Sequence, residues 1–220
     1  MARMAHVQFG DRFTDALRIA ARQHSAQSRK STAVPYVSHV LGVASIAIEF
    51  GATEDEAIGA LLHDTIEDAA KAPPPHDTAA SVRQLISEHF GPRVLAIVEA
   101  CTDADVMPKP RWPERKRAYV ASVAHKDGSG LLVSASDKLH NSRAILFDVR
   151  DPGVGLRVFD RFNKDAGRTG TLWYYRALVE ALGSRAEAIR EHRVHKLVVE
   201  LDRTVTTLES EVEGLLGAAE

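Results

Sequence analysis

Apolar residues recur along this chain at spacings of three and four, and no alternation of period two persists, so the pattern predicts an all-α fold. Residues 11–27 place Phe13, Ala16, Leu17, Ala20 and Ala21 on one face and Asp11, Arg12, Asp15, Arg18 and Arg22 largely on the other, the mark of an amphipathic helix. A polar, basic loop over 27–34 ends at Pro35. A second helix follows with His39, Val43, Ile46, Ala47 and Phe50, closing at Gly51. Thr53 followed by Glu56 is a capping box that opens a third helix, predicted to run through residues 63–68. The proline-rich segment 71–77 reads as a surface loop. Helices are then expected over about 78–90 and 94–101, separated by the Gly91-Pro92 turn. A loop over 102–112, which includes Met107, precedes a helix opened by Pro113 that runs to about Ala124.

Residues 127–130 read as a turn, residues 131–147 as a helix and 148–155 as a loop. Segments 159–165 and 169–182 look helical, with Gly183-Ser184 as a cap, and a final helix covers about 185–216. In that helix Val194, Val198, Leu201, Val205, Leu208, Val212 and Leu215 form an unbroken heptad pattern. Two readings fit it: a helix packed along its own chain, or the seam of a homodimer.

The polar residues that interrupt these apolar faces carry the chemistry. In the stretch Leu61-Leu62-His63-Asp64-Thr65-Ile66-Glu67-Asp68, four ionisable side chains fall within six positions beside an apolar wall. His63 and Asp64 leave a helix about 100° apart and can converge on one ion at its edge, while Glu67 and Asp68 follow each by four residues on the same wall. Burying such a set is costly unless a divalent cation neutralises it. A lone His-Asp pair would carry little weight, but further donors stand on two other helices: His39 after Tyr36, and Asp137 in Asp137-Lys138-Leu139-His140-Asn141-Ser142-Arg143.

The order His…His-Asp…Asp resembles the HD phosphohydrolase superfamily. With Gln27-Ser28-Arg29-Lys30 upstream and Glu67-Asp68 directly after the His-Asp pair, roughly residues 10–180 resemble the hydrolase domain of the RelA/SpoT family, in particular its stand-alone small alarmone hydrolases of the metazoan SpoT homologue type. The resemblance implies an HD-domain helical bundle with His39, His63, Asp64 and Asp137 as metal ligands. It further implies a divalent ion, usually Mn²⁺, with Glu67 and Asp68 handling the attacking water and the leaving group. Arg29, Lys30, Asn141 and Arg143 would contact the nucleotide. The implied reaction removes the 3′-pyrophosphate of (p)ppGpp. Alternatives are another 3′- or 2′-phosphorylated nucleotide such as an adenosine alarmone or NADPH, a general HD nucleotidase, and a nucleotide-binding module without turnover. Arg115, Lys116 and Arg117 could meet distal phosphates or form a solvated face, and His140 reads as packed rather than catalytic. Two positions depart from the family pattern, Ser134 where a lysine is usual and Ala144 where threonine or aspartate is common; both bear on the nucleotide pocket and neither on the ligand set.

Composition narrows the classes. With 220 residues and 45% hydrophobic content the chain can bury a core, and one domain over 1–220 is expected, its core at about 10–183 with the final helix added. A net charge of -2 argues against nucleic-acid or membrane-surface binding. Cys101 is the only cysteine, so no intrachain disulfide forms and a reducing cytoplasm is the natural reading. Residues 1–6 lack a signal-peptide core, and no uncharged apolar run approaches bilayer-spanning length.

Overall fold

The computed structural model describes residues 8–69, 77–104, 106 and 108–218. The expected loop over 71–76, Met107 and residues 1–6 lie outside them. Among the described residues the fold is all-α, with ten α-helices and two 3₁₀ turns. In chain order the helices are α1 (Asp11–Gln23), α2 (Val37–Glu49), α3 (Glu54–Leu62), α4 (Thr65–Ala69), α5 (Ala79–Phe90), α6 (Pro92–Cys101), α7 (Trp112–Ser122), α8 (Gly128–Arg150), α9 (Gly167–Ala188) and α10 (His192–Gly217). The 3₁₀ turns are Val123–His125 and Gly155–Arg161.

Helix α8 is the hub, packed by α2, α3, α6, α9 and α10. Leu131, Leu132, Val133, Ala135 and Leu139 are all fully buried, and Ser134, Ser136 and Asp137 are buried beside them, so the N-terminal half of α8 is enclosed by its neighbours. Helix α10 lies along α8 and α9 and buries Val194, Val198, Leu201, Val205, Leu208 and Val212 against them. The heptad face is therefore spent within the chain, and of the seven heptad residues Leu215 alone is exposed. At its N-terminal end Arg193 reaches Glu56 and the Gly51 carbonyl, tying α10 to α3.

Several boundaries differ from the sequence reading. Helix α1 stops at Gln23, because His24 is buried and turns to meet the Gln27 side chain. The expected continuous helix through 63–68 is broken into α3 and α4 by a turn at His63 and Asp64, although the Asp68 N–H still bonds the Asp64 carbonyl. The 127–130 turn is instead the start of α8, capped by Asp127 accepting from the Gly130 N–H. Gly183 and Ser184 do not cap a helix; α9 passes through them to Ala188. It ends in a Schellman turn, with Arg190 at φ 56° and the Glu191 N–H bonded to the Ala186 carbonyl. The Thr53–Glu56 capping box forms as expected.

Candidate metal centre and nucleotide cavity

Three helix segments deliver four donors to one point. His39 comes from the first turn of α2, His63 and Asp64 from the break after α3, and Asp137 from the middle of α8. Donor atoms of His39, His63 and Asp137 lie within 4.8 Å of one another. Asp64 Oδ2 joins them, 3.1 Å from His63 Nε2 and 3.6 Å from His39 Nε2. Asp137 Oδ1 is 3.2 Å from His39 Nε2 and 3.7 Å from His63 Nε2.

The tautomers suit a cation. His63 Nδ1 lies 2.8 Å from the Ala60 carbonyl, an acceptor that fixes the proton on Nδ1. Its Nε2, buried and without a well-directed hydrogen bond, faces two carboxylates that hold the imidazole pKa well above its ordinary value against burial, so this edge of the ring is built to meet positive charge. Two imidazoles and two carboxylates converging on one point are a donor set that suits a divalent cation. Burial alone would raise the pKa of Asp137, but Lys138 and the two imidazoles hold it well below the ordinary carboxylate range. Asp64 is held low against burial in the same way, chiefly by His63. Both carboxylates are thus ionised and able to ligate. The structure supports a divalent metal at this point, with no thiolate among the donors.

The next layer holds the ligands in place. Tyr36 donates to Asp64 Oδ2 at 2.5 Å; burial first, then Asp64 and Asp68, push its phenol far above the ordinary value, so it remains a donor. Lys138 Nζ lies 2.6 Å from Asp137 Oδ2. The Asn141 amide donates to Asp137 Oδ1 at 2.5 Å while its carbonyl accepts from Arg29 at 2.8 Å, so one side chain links ligand and basic loop. His140, read from the sequence as packed, meets His39 through their Nδ1 atoms at 3.0 Å. Burial, followed by the charges of His39 and Arg29, pushes His140 down to about 4, so it is neutral and accepts from His39. No local pattern signals this contact, because it joins α2 to α8; Gly42 on α2 is the one local trace, since a Cβ there would lie 2.3 Å from the His140 ring.

Glu67 and Asp68 sit on α4, directly beyond the ligand turn. Glu67 pairs with Lys109 at 2.7 Å, and Asp68 accepts from Gln27 at 2.9 Å. Arg29 and Lys30 lie on a loop closed by the Ser28–Pro35 bridge and by the Arg29 N–H donating to the Val34 carbonyl. This closure sets both beside a cavity of about 450 Å³ whose wall also includes Tyr36, His140 and Asn141, and further along α8 Ala144, Ile145, Phe147 and Asp148. Arg143 is not brought into it: six residues past Asp137 it faces another direction and is exposed. Arg115 and Lys116 form neither a solvated face nor a free phosphate clamp, because Asp103 holds both and Lys116 stands over the Tyr174 ring. Ser134 lies buried between Tyr119 and Cys101, while Lys126 and Lys138 bring positive charge over the Tyr119 ring at 4.4 Å and 4.9 Å.

Known proteins resemble this chain in sequence and fold. The human guanosine-3′,5′-bis(diphosphate) 3′-pyrophosphohydrolase MESH1 is 39% identical over 132 residues, 59% of this chain and 66% of the relative. The guanosine-3′,5′-bis(diphosphate) 3′-pyrophosphohydrolase of Aquifex aeolicus is 33% identical over 139 residues, 63% of this chain and 18% of that longer protein. The aligned segment thus spans just under two thirds of the metazoan relative. The solved structure of a metazoan SpoT orthologue, described as hydrolysing ppGpp, superposes with a TM-score of 0.66 at 26% identity over 90% of this chain and 97% of that one. No helix among the described residues is long and apolar enough to cross a membrane. A family model for the HD domain matches residues 16–172, and the chain belongs to the HD domain family.

Proposed function

We propose that this chain is a metal-dependent phosphohydrolase that removes the 3′-pyrophosphate from guanosine 3′,5′-bis(diphosphate) or its 5′-triphosphate form, giving GDP or GTP and pyrophosphate. The observation that carries the reading is the unpartnered His63 Nε2, facing Asp64 and Asp137 beside a cavity that offers Arg29 and Lys30. The names of the relatives agree with it. His39, His63, Asp64 and Asp137 hold the cation, which on the family pattern is Mn²⁺. When bound, a divalent ion there polarises a phosphoryl oxygen and acidifies water.

The chain's own groups do the rest. Asp68, steadied by Gln27, accepts a proton from the attacking water as the bond between the 3′ phosphorus and the 3′ oxygen breaks. Glu67, held by Lys109, orients the attacking water, and the proton taken by Asp68 passes to the leaving 3′ oxygen. Arg29 stacks on or pairs with the nucleotide while its bond to Asn141 keeps it in register with Asp137, and Lys30 pairs with phosphate. Arg143, exposed and outside the cavity wall, is left out of this assignment. Residues 1–220 act as one hydrolase unit, with α10 as a brace on α8 and α9. A homodimer seam forms no part of the proposal, since α10 buries its heptad face in its own chain. The unit works in the cytoplasm, where its nucleotide substrate and reduced Cys101 belong.

The test is pyrophosphate release from ppGpp with added Mn²⁺, alongside His63→Ala and Asp64→Ala. Turnover by the parent and none by either variant is expected. Activity that survives both substitutions sinks the ligand assignment, and no turnover of any 3′-phosphorylated nucleotide sinks the hydrolase reading.

A further inference from the structure

Resting on that reading, we propose that the Asp148–Arg161 pair reads the edge of the substrate's base and selects guanine. Helix α8 supplies a ruler. Asp137, Asn141, Ala144 and Asp148 are spaced by four, three and four residues and so form a single stripe along it. The stripe starts at a metal ligand, and its last three members line the cavity. From Asp137 to Asp148 the helix rises about 16 Å, enough for a nucleoside laid along α8 with its 3′ end at the ligands and its base at Asp148.

The far part of the cavity suits a flat, neutral group. Ile145, Val158 and Phe162 line it, and Phe147, also in the wall, is 74% exposed, which leaves a large apolar ring for a base to cover. A phosphate there would meet the Asp148 carboxylate; phosphates are better served by Arg29 and Lys30 beside the ligands. Arg161 Nη1 donates to Asp148 Oδ2 at 2.6 Å, and both side chains are about three-quarters covered. That bond engages one oxygen and one nitrogen. Asp148 Oδ1 and the Nε and Nη2 of Arg161 carry no other protein hydrogen bond among the described residues. The pair thus presents an anionic acceptor beside a cationic donor. The Watson–Crick edge of guanine answers with two donors, N1–H and the 2-amino group, beside the O6 acceptor. Adenine offers one donor and one acceptor, and xanthine replaces the amino donor by a carbonyl that the carboxylate repels. Ala144, small and without a hydroxyl, contributes space but no polar reading, which leaves discrimination to Asp148 and Arg161.

The test compares kcat and KM for the 3′,5′-bis(diphosphates) of guanosine, xanthosine and adenosine, using the parent and Asp148→Asn with Mn²⁺. The parent should prefer guanosine. In D148N the guanosine substrate should lose about tenfold to a hundredfold in kcat/KM, mainly through KM, and the xanthosine substrate should gain, because an asparagine amide donates where the carboxylate could not. A D148N that keeps the parent's guanosine-to-xanthosine ratio overturns the proposal. So does one that loses all three substrates together, since the residue would then serve the fold or the chemistry. A parent that turns over none of the three fails the hydrolase reading itself, whereas a parent active on all three without preference fails the base assignment alone.

Discussion

His39 is a metal ligand only if its Nε2 faces the ion, and that orientation depends on where its Nδ1–H is anchored. The anchor is His140 Nδ1 at 3.0 Å, an ordinary hydrogen bond by length. His39 is 1% exposed, so removing the acceptor leaves a buried donor without a partner. The bond and the stranded donor together are worth about 1–3 kcal/mol, and loss of such outer partners typically weakens metal binding by about 10–100-fold. Because His140 lines the cavity, water can take its place in part, which favours the lower end of that range for His140→Ala. His140→Gln, which retains an acceptor, should recover most of the loss. Gly42→Ala offers an independent route to the same result, because its Cβ would fall 2.3 Å from the His140 ring and push it off His39. The assay is Mn²⁺ affinity by competition with a calibrated chelator, with the thermal midpoint of the metal-free protein recorded to separate folding from binding. An H140A protein that folds normally and binds Mn²⁺ within twofold of the parent would refute the coupling.

Tyr36→Phe removes the 2.5 Å bond to Asp64 without changing shape; it should cost about fivefold to thirtyfold in kcat/KM, read in the pyrophosphate-release assay. Glu56, 1% exposed, is a stability switch on the acid side. Burial raises its pKa, but the bonds from Arg193, the Thr53 N–H and Ser129 outweigh that and leave it below the ordinary value. Its stabilisation is therefore complete above the ordinary glutamate range and is lost as pH falls through the depressed value. Urea midpoints against pH should fall in that range for the parent and fall less steeply for Glu56→Gln, which at neutral pH costs about 2 kcal/mol. Arg190→Gly should raise stability by about 0.5–1 kcal/mol, because a left-handed residue after α9 costs an arginine more than glycine loses in chain entropy; a lower melting midpoint for R190G would contradict this.

The same Arg190 shows where local reading of the fold fails. Two helix starts are legible in side-chain chemistry, the Thr53 and Glu56 box and Pro113 in the first turn of α7; α6 instead starts at Pro92, which reads as part of a turn, and Asp127 caps α8 where the sequence suggests a turn. Gly183 looked like a terminator and is not one, since nothing in its surroundings asks for a positive φ and α9 simply continues. The true end falls seven residues later at an arginine forced into the left-handed region, a conformation that α10 imposes by turning back on α8. The break at His63 and Asp64 is of the same kind. No proline or glycine marks it, and the capped helix from Thr53 gives no reason to stop.

For the site, legibility followed the range of the interaction. The convergence of His39, His63, Asp64 and Asp137 could be expected because four donors proposed to share one cation must meet, so residue type and order along the chain carry the information without any knowledge of packing. Contacts made pairwise between helices carry no such signature. His140 reads from the sequence as packed and turned from Asp137, yet, three residues on, it shares that face of α8, and α2 brings His39 to it. Asp148 looked like the start of a loop, yet α8 runs on to Arg150 and aligns it with Asp137, Asn141 and Ala144. Arg115 and Lys116 depart for the opposite reason: their charge fits a phosphate partner or solvent, but Asp103, only twelve and thirteen residues before them, already neutralises both. An ionisable residue in this chain thus shows its place from sequence when several donors converge on one point, and conceals it when its partner is a single side chain on another helix.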